Sequence, residues 1–156
     1  MLRFLSISVI VLLLDQATKL WVDGSMKLYQ TIELNSFVQL TYLRNTGAAF
    51  SFLSDAGGWQ RWFFVGLALI VTVVLTVWVS RLPANSKWLA ISLTLILGGA
   101  LGNVIDRIAY GYVIDFIDVF YQDWHWPAFN IADSAICIGV VMMLLDSFRK
   151  EPDSSR

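Results

Sequence analysis

Four stretches of the chain stay apolar long enough to be read as membrane spans, which need about 20 mostly apolar residues. They cover roughly residues 4–22, 62–80, 88–105 and 130–145. The second and third carry no charge. The first is interrupted by Asp15 and Lys19, and the fourth holds Asp133 near its start. Between the first two spans, SFVQLTYLR (36–44) partly alternates apolar and polar positions, as a half-buried strand does. Asn45-Thr46-Gly47 then marks a turn. The pattern predicts a mainly α membrane protein: a four-transmembrane-helix bundle with a small extracytoplasmic β-sheet. The β-rich outer loop is expected over about residues 23–58, with the whole of 1–156 forming one domain. The second outer segment, 109–129, is rich in aromatics (Tyr110, Tyr112, Tyr121, Trp124, Trp126) and reads as interfacial. Trp21, Trp59, Trp62, Trp78 and Trp88 fall near span ends and are assigned to aromatic belts.

Composition agrees with the bilayer as main solvent. Of 156 residues, 57% are hydrophobic and 15% charged, against about 25% charged in a soluble domain. A net charge of −1 offers no field for nucleic acid. One cysteine, Cys137, and one distant histidine, His125, exclude an internal disulfide and a Cys/His zinc site, so no metal or cofactor is expected. Both are read as packing or interface residues. Arg3 before an apolar run resembles a signal peptide, but Asp15 and Lys19 break the run and no small-x-small cleavage site follows.

Lys and Arg in short loops set orientation. Arg3, the RLPANSK loop with Arg81 and Lys87, and the tail with Arg149, Lys150 and Arg156 share one side in a four-span topology. That side is expected to be cytoplasmic, although Lys27, Arg44, Arg61 and Arg107 make the bias modest.

Depth counting then changes the picture. At 1.5 Å per residue, Asp15 lies about 18 Å above Arg3, with Lys19 one turn further. Asn103 lies about 24 Å above Lys87, and Asp133 about 20 Å above Asp146. Three spans thus place polar groups in the outer third of a core about 30 Å thick. Charges at that depth are costly and mark function or a required internal pair. Asp15 and Lys19, spaced i,i+4, suit a self-neutralising structural pair. Arg107 can pair with Asp106 or another carboxylate. Gly98, Gly99 and Gly102 form a small-residue face suited to close helix packing. Asp133 has no basic neighbour on its own helix. Its candidate partners are Asp115, Asp118, Asp123 and Arg107, among which spacing does not choose. A second acid within hydrogen-bond range would force the two to share a proton. Such a pair supplies the base and the acid that peptide hydrolysis needs. HExxH, GxSxG, P-loop and dinucleotide-binding patterns are missing from the sequence. A Ser–Lys dyad of Lys19 with Ser6 or Ser134, a non-enzymatic ion relay and a purely structural bundle are the competing readings.

Five blocks, DQATK (15–19), RNTGAAFS (44–51), GNVIDR (102–107), GYVIDF (111–116) and FNIADS (129–134), closely resemble, in order, the motifs of the lipoprotein signal peptidases, or signal peptidase II. The resemblance implies a bacterial inner-membrane aspartic endopeptidase with four spans, cytoplasmic termini and a site near the periplasmic face. It implies cleavage of diacylglyceryl-modified prolipoproteins just before the lipidated cysteine, and inhibition by globomycin-type peptides. It places the catalytic aspartates at Asp115 and Asp133, and supporting roles at Asp15, Lys19, Asn45, Gly47, Asn103, Asp106, Arg107, Asn130 and Ala132. The expected partners are lipidated precursors and membrane lipid, with the enzyme working as a monomer.

Overall fold

A computed structural model of the chain describes residues 2–47 and 57–148. A short 3-10 turn (Leu2–Phe4) leads into helix α1 (Leu5–Ser25). Strands β1 (Thr31–Glu33) and β2 (Val38–Asn45) follow. Helices α2 (Trp59–Arg81) and α3 (Lys87–Ala109) come next, then strands β3 (Val113–Tyr121) and β4 (Trp124–His125), then helix α4 (Ile131–Ser147). Each helix overlaps one of the expected spans and overruns it by one to four residues at most ends. Arg149, Lys150 and Arg156, and residues 48–51 of the RNTGAAFS block, lie outside the described residues.

Leu2–Ser25, Trp59–Arg81 and Lys87–Ala109 are long and apolar enough to cross a membrane. Leu13 on α1 and Ile70 and Val73 on α2 are each more than 60% exposed, as lipid-facing side chains would be. Helix α4, with 17 residues, spans about 25 Å. It is shorter because its first turn is built into the polar layer.

Helix α3 is the centre of the bundle. Its glycine face meets two neighbours at backbone distance. A Cβ at Gly98 would come within 2.8 Å of the Ser8 carbonyl oxygen on α1. At Gly99 it would strike the Ala132 carbonyl, and at Gly102 the Asp15 carboxylate. The small-residue face therefore does pack helices, and at its upper end it also makes room for a buried acid. Trp88, assigned above to a belt, donates its ring N–H to the Met142 carbonyl (2.8 Å) and locks α3 to α4.

The sheet is larger than the pattern predicts. Its order is β1-β2-β3-β4, all antiparallel, and half of it comes from the second outer segment. The aromatics of 109–129 that lie in the sheet are therefore cross-strand partners as well as interfacial groups. Phe37 stacks on Tyr121 with centroids 6.1 Å apart, and Phe120 stacks on His125 at 5.5 Å. Strand β3 hid from the pattern because VIDFIDVFY does not alternate: it is buried on both faces, with Val113 to Phe116 all under cover.

The pairing of β2 with β3 carries an irregularity beside the polar layer. Leu40 faces Ile117, but Leu43 faces Asp115, so β2 holds one extra residue between them. Such bulges re-aim side chains. Here it lets the buried Tyr42 join Val22, Ile114 and Phe116 in a small core under the sheet. A single bridge, Ile117 to Phe129, ties β3 to the segment entering α4.

Candidate active site

Strand geometry separates the two aspartates of β3. Residues three apart on a strand point to opposite faces. Asp118 faces Gln39 and is held by its side-chain amide at 2.6 Å, with Thr41 at 3.3 Å and His125 Nδ1 at 3.0 Å. Asp115 points the other way, into a cavity of about 460 Å³ that is also lined by Asp133, Asn45, Asn103, Arg107 and Val113. Asp123 does not line this cavity.

Neutral amides hold the two carboxylates that face it. Asn130 donates to Asp115 Oδ1 at 2.8 Å and Asn45 to Asp115 Oδ2 at 3.0 Å. Asn103 donates to Asp133 Oδ1 at 2.8 Å. Asn130 is also the N-cap of α4: its side chain accepts from the Asp133 N–H at 2.9 Å, and the Asp133 carboxylate accepts from the Asn130 N–H at 3.3 Å. This reciprocal cap starts the helix at the site. It fixes Asp133 three residues into α4, while the Ile117–Phe129 bridge fixes the strand one residue before Asn130. Burial, and then the nearby Asp133 carboxylate, push the Asp115 carboxyl up to about 7.

Beneath this pair sits a second charged cluster. Lys19 Nζ lies 2.8 Å from Asp15 Oδ2, 2.9 Å from Asp106 Oδ2 and 3.0 Å from Asn103 Oδ1. Three acceptors use the three ammonium hydrogens. All three charged residues are at most 1% exposed. The cluster also reaches the acids above. Asp15 accepts from the Ala132 N–H at 2.9 Å, and Asp106 from the Ile114 N–H at 3.2 Å. Each amide belongs to the residue immediately before Asp133 or Asp115. Ala132 is fully buried against α3, which explains why a small residue stands there.

Of the partners left open for Arg107, Asp106 is not the one it takes. That carboxylate is taken by Lys19, Gln16 (2.9 Å) and the Ile114 amide. Arg107 instead donates to the Gly47 carbonyl at 2.7 Å and lies over the Phe64 ring at 5.3 Å. It braces the Asn45–Gly47 turn against α3. The Gly47 N–H donates to Asn45 Oδ1 at 3.0 Å, which orients the amide that reaches Asp115. The Ser–Lys alternative does not form: Lys19 is saturated, Ser134 donates to the Asn130 carbonyl, and Ser6 to that of Arg3. Cys137, expected as a packing or interface residue, is exposed on α4 and lines the cavity.

Sequence reasoning did not single out Gln16, though it stands in the DQATK block beside Asp15. Nor did it find the Tyr42–Asp23–Arg44 cluster on the outer rim, where the Tyr42 hydroxyl donates to Asp23 and accepts from Arg44 Nε. Its only signal was a tyrosine inside an alternating strand.

A multi-pass membrane protein with a polar site held between helices and sheet is the class this architecture defines. The chain belongs to the signal peptidase II family, whose model matches residues 7–149, and it is a peptidase. The lipoprotein signal peptidase of Pseudoalteromonas atlantica is 51% identical over 150 residues, covering 96% of this chain and 92% of that relative. The lipoprotein signal peptidase of Alteromonas mediterranea is 53% identical over 148 residues, covering 95% and 81%. A solved structure described as a bacterial membrane enzyme superimposes with a TM-score of 0.85 at 32% identity, covering 99% of this chain and 94% of that one.

Proposed function

We propose that the chain is an aspartic endopeptidase that removes the signal peptide from diacylglyceryl-modified prolipoproteins, cutting just before the lipidated cysteine. The observation that carries this reading is the pair Asp115 and Asp133 on one cavity, fastened by amides and, among the described residues, by no ion pair with a cation. The relatives' shared name, lipoprotein signal peptidase, supports the substrate class.

The chemistry follows from one proton shared by two acids. A water between them gives a proton to the ionised carboxylate and attacks the scissile carbonyl carbon. The neutral carboxyl protonates the carbonyl oxygen. The tetrahedral intermediate collapses as the amide nitrogen takes a proton and leaves as an amine. No covalent enzyme intermediate and no metal is required. Asn45, Asn103 and Asn130 hold the carboxylates and are placed to meet a substrate backbone.

In this reading α4 is a fourth span, and residues 1–156 form one membrane domain with cytoplasmic termini in the bacterial inner membrane. The sheet and cavity lie at the periplasmic side, and the enzyme works as a monomer. The signal helix and lipid chains arrive sideways from the bilayer, along the α4 face that carries Ile136 and Cys137.

The test is a cleavage assay with purified protein and a diacylglyceryl-modified precursor. Release of the signal peptide, blocked by globomycin and insensitive to chelators, is expected. Failure to cut a lipidated precursor, or loss in EDTA restored by zinc, would overturn the reading.

A further inference from the structure

A second cavity, of about 280 Å³, meets the first at the acids. The two share Asn45, Asp115, Pro127 and Ala128. What the second adds is Tyr29, Leu43 and Arg44. Arg44 is held there on three sides. Its Nε donates to the Tyr42 hydroxyl at 3.0 Å, its guanidinium lies 4.7 Å over the Tyr112 ring, and Asp23 stands 3.5 Å from Nη2. The contact with Asp23 is long and about 40% exposed on both sides, so it fixes the fork more than it quenches the charge. Tyr29, 73% exposed, adopts a φ of +67°. A non-glycine residue in that region is uncommon and persists only where its surroundings impose it. Here the Tyr29 N–H is tied to the Tyr42 carbonyl at 2.9 Å. A strained tyrosine and a pre-set guanidinium thus stand together beside Asp115.

A peptide whose scissile bond lies at Asp115 and Asp133 must leave that point in two directions. The first cavity, bordered by Val113, Phe129 and Ile136, suits the apolar signal side. Accepting the proteolytic reading above, we propose that the second cavity is the subsite for the residues that follow the lipidated cysteine. Arg44 is then a specificity-determining residue that favours an acidic side chain there and disfavours a basic one. The guanidinium fork suits a carboxylate, and like charge opposes lysine.

The test uses full-length enzyme and diacylglyceryl precursors that differ only in carrying Asp, Ser or Lys at the first two positions after the cysteine. Wild-type kcat/KM is expected to be about fivefold higher for Asp than for Lys, and the ratio to shrink with added salt. Arg44→Gln brings the ratio to within about twofold, and Arg44→Lys keeps part of it. A wild-type ratio near one, or an Arg44→Gln enzyme that keeps the wild-type ratio, overturns the proposal. Should Arg44→Gln not fold, the wild-type ratio and its salt dependence decide alone. An enzyme that cuts none of the series refutes the proteolytic reading instead.

Discussion

Two acidic clusters lie one beneath the other in this molecule, and they are fastened differently. Asp15 and Asp106 share an ammonium group. Among the described residues, Asp115 and Asp133 receive only amide hydrogens, from Asn45, Asn103 and Asn130. The first arrangement fixes charge, because either carboxylate would lose an ion pair on protonation. The second leaves a proton free to move, because the neutral amides favour the charged form of Asp115 less than burial and the nearby Asp133 oppose it. The contrast separates scaffold from chemistry. In the proposed mechanism the scaffold serves the chemistry by gripping the amides of Ala132 and Ile114, next to the two acids assigned to it.

The sharpest way to break this comparison is to neutralise each cluster in turn. Asp115→Asn and Asp133→Asn should each cut turnover by about 10³-fold or more while the protein stays folded. Single-turnover cleavage beside circular dichroism in detergent reads both; near-normal turnover in either variant sinks the pair. Lys19→Met should act the other way round. Leaving two carboxylates buried without their cation costs about 3 kcal/mol or more, so the melting temperature should drop and activity fall only with the folded fraction. A Lys19→Met protein as stable as wild type would mean that the lower cluster is not the scaffold.

Acidity offers a finer cut. The Asp115 carboxyl is raised to about 7 by burial and by Asp133, so the fold favours its protonated form. Below about pH 4, folded and unfolded chains both hold that proton and nothing is lost. As pH rises toward 7 the unfolded chain releases it first, and stability declines until both states are ionised. Asp115→Asn should therefore gain stability relative to wild type between about pH 5 and pH 8. Wild-type turnover should fall above about pH 7, as the pair loses its shared proton. A flat rate between pH 6 and about 9 would argue against proton sharing. The smallest effect belongs to Asp118→Asn, on the far face of the same strand, with turnover within about twofold and a stability change of about 1 kcal/mol from a weakened bond to Gln39.

How much of this was legible in sequence depended on periodicity. The helices were readable because long apolar runs have no other reading, and depth counting placed Asp15, Lys19, Asn103 and Asp133 in the layer where they meet. Strand β3 was not. Its two-sided burial erased the alternation that reveals a half-exposed strand, so Asp115 stood in an apparent loop beside two equivalent acids. Motif resemblance chose it, and the opposed faces of Asp115 and Asp118 supply a physical reason for that choice. The partner of Arg107 stayed open in sequence because adjacency says nothing about direction on a helix: residues 106 and 107 point about 100° apart.

Asn130 bears on drug resistance. One side chain starts α4, holds Asp115 and orients the residue that places Asp133. An inhibitor anchored on that amide meets a position where escape by substitution would undo the helix start and both acids together.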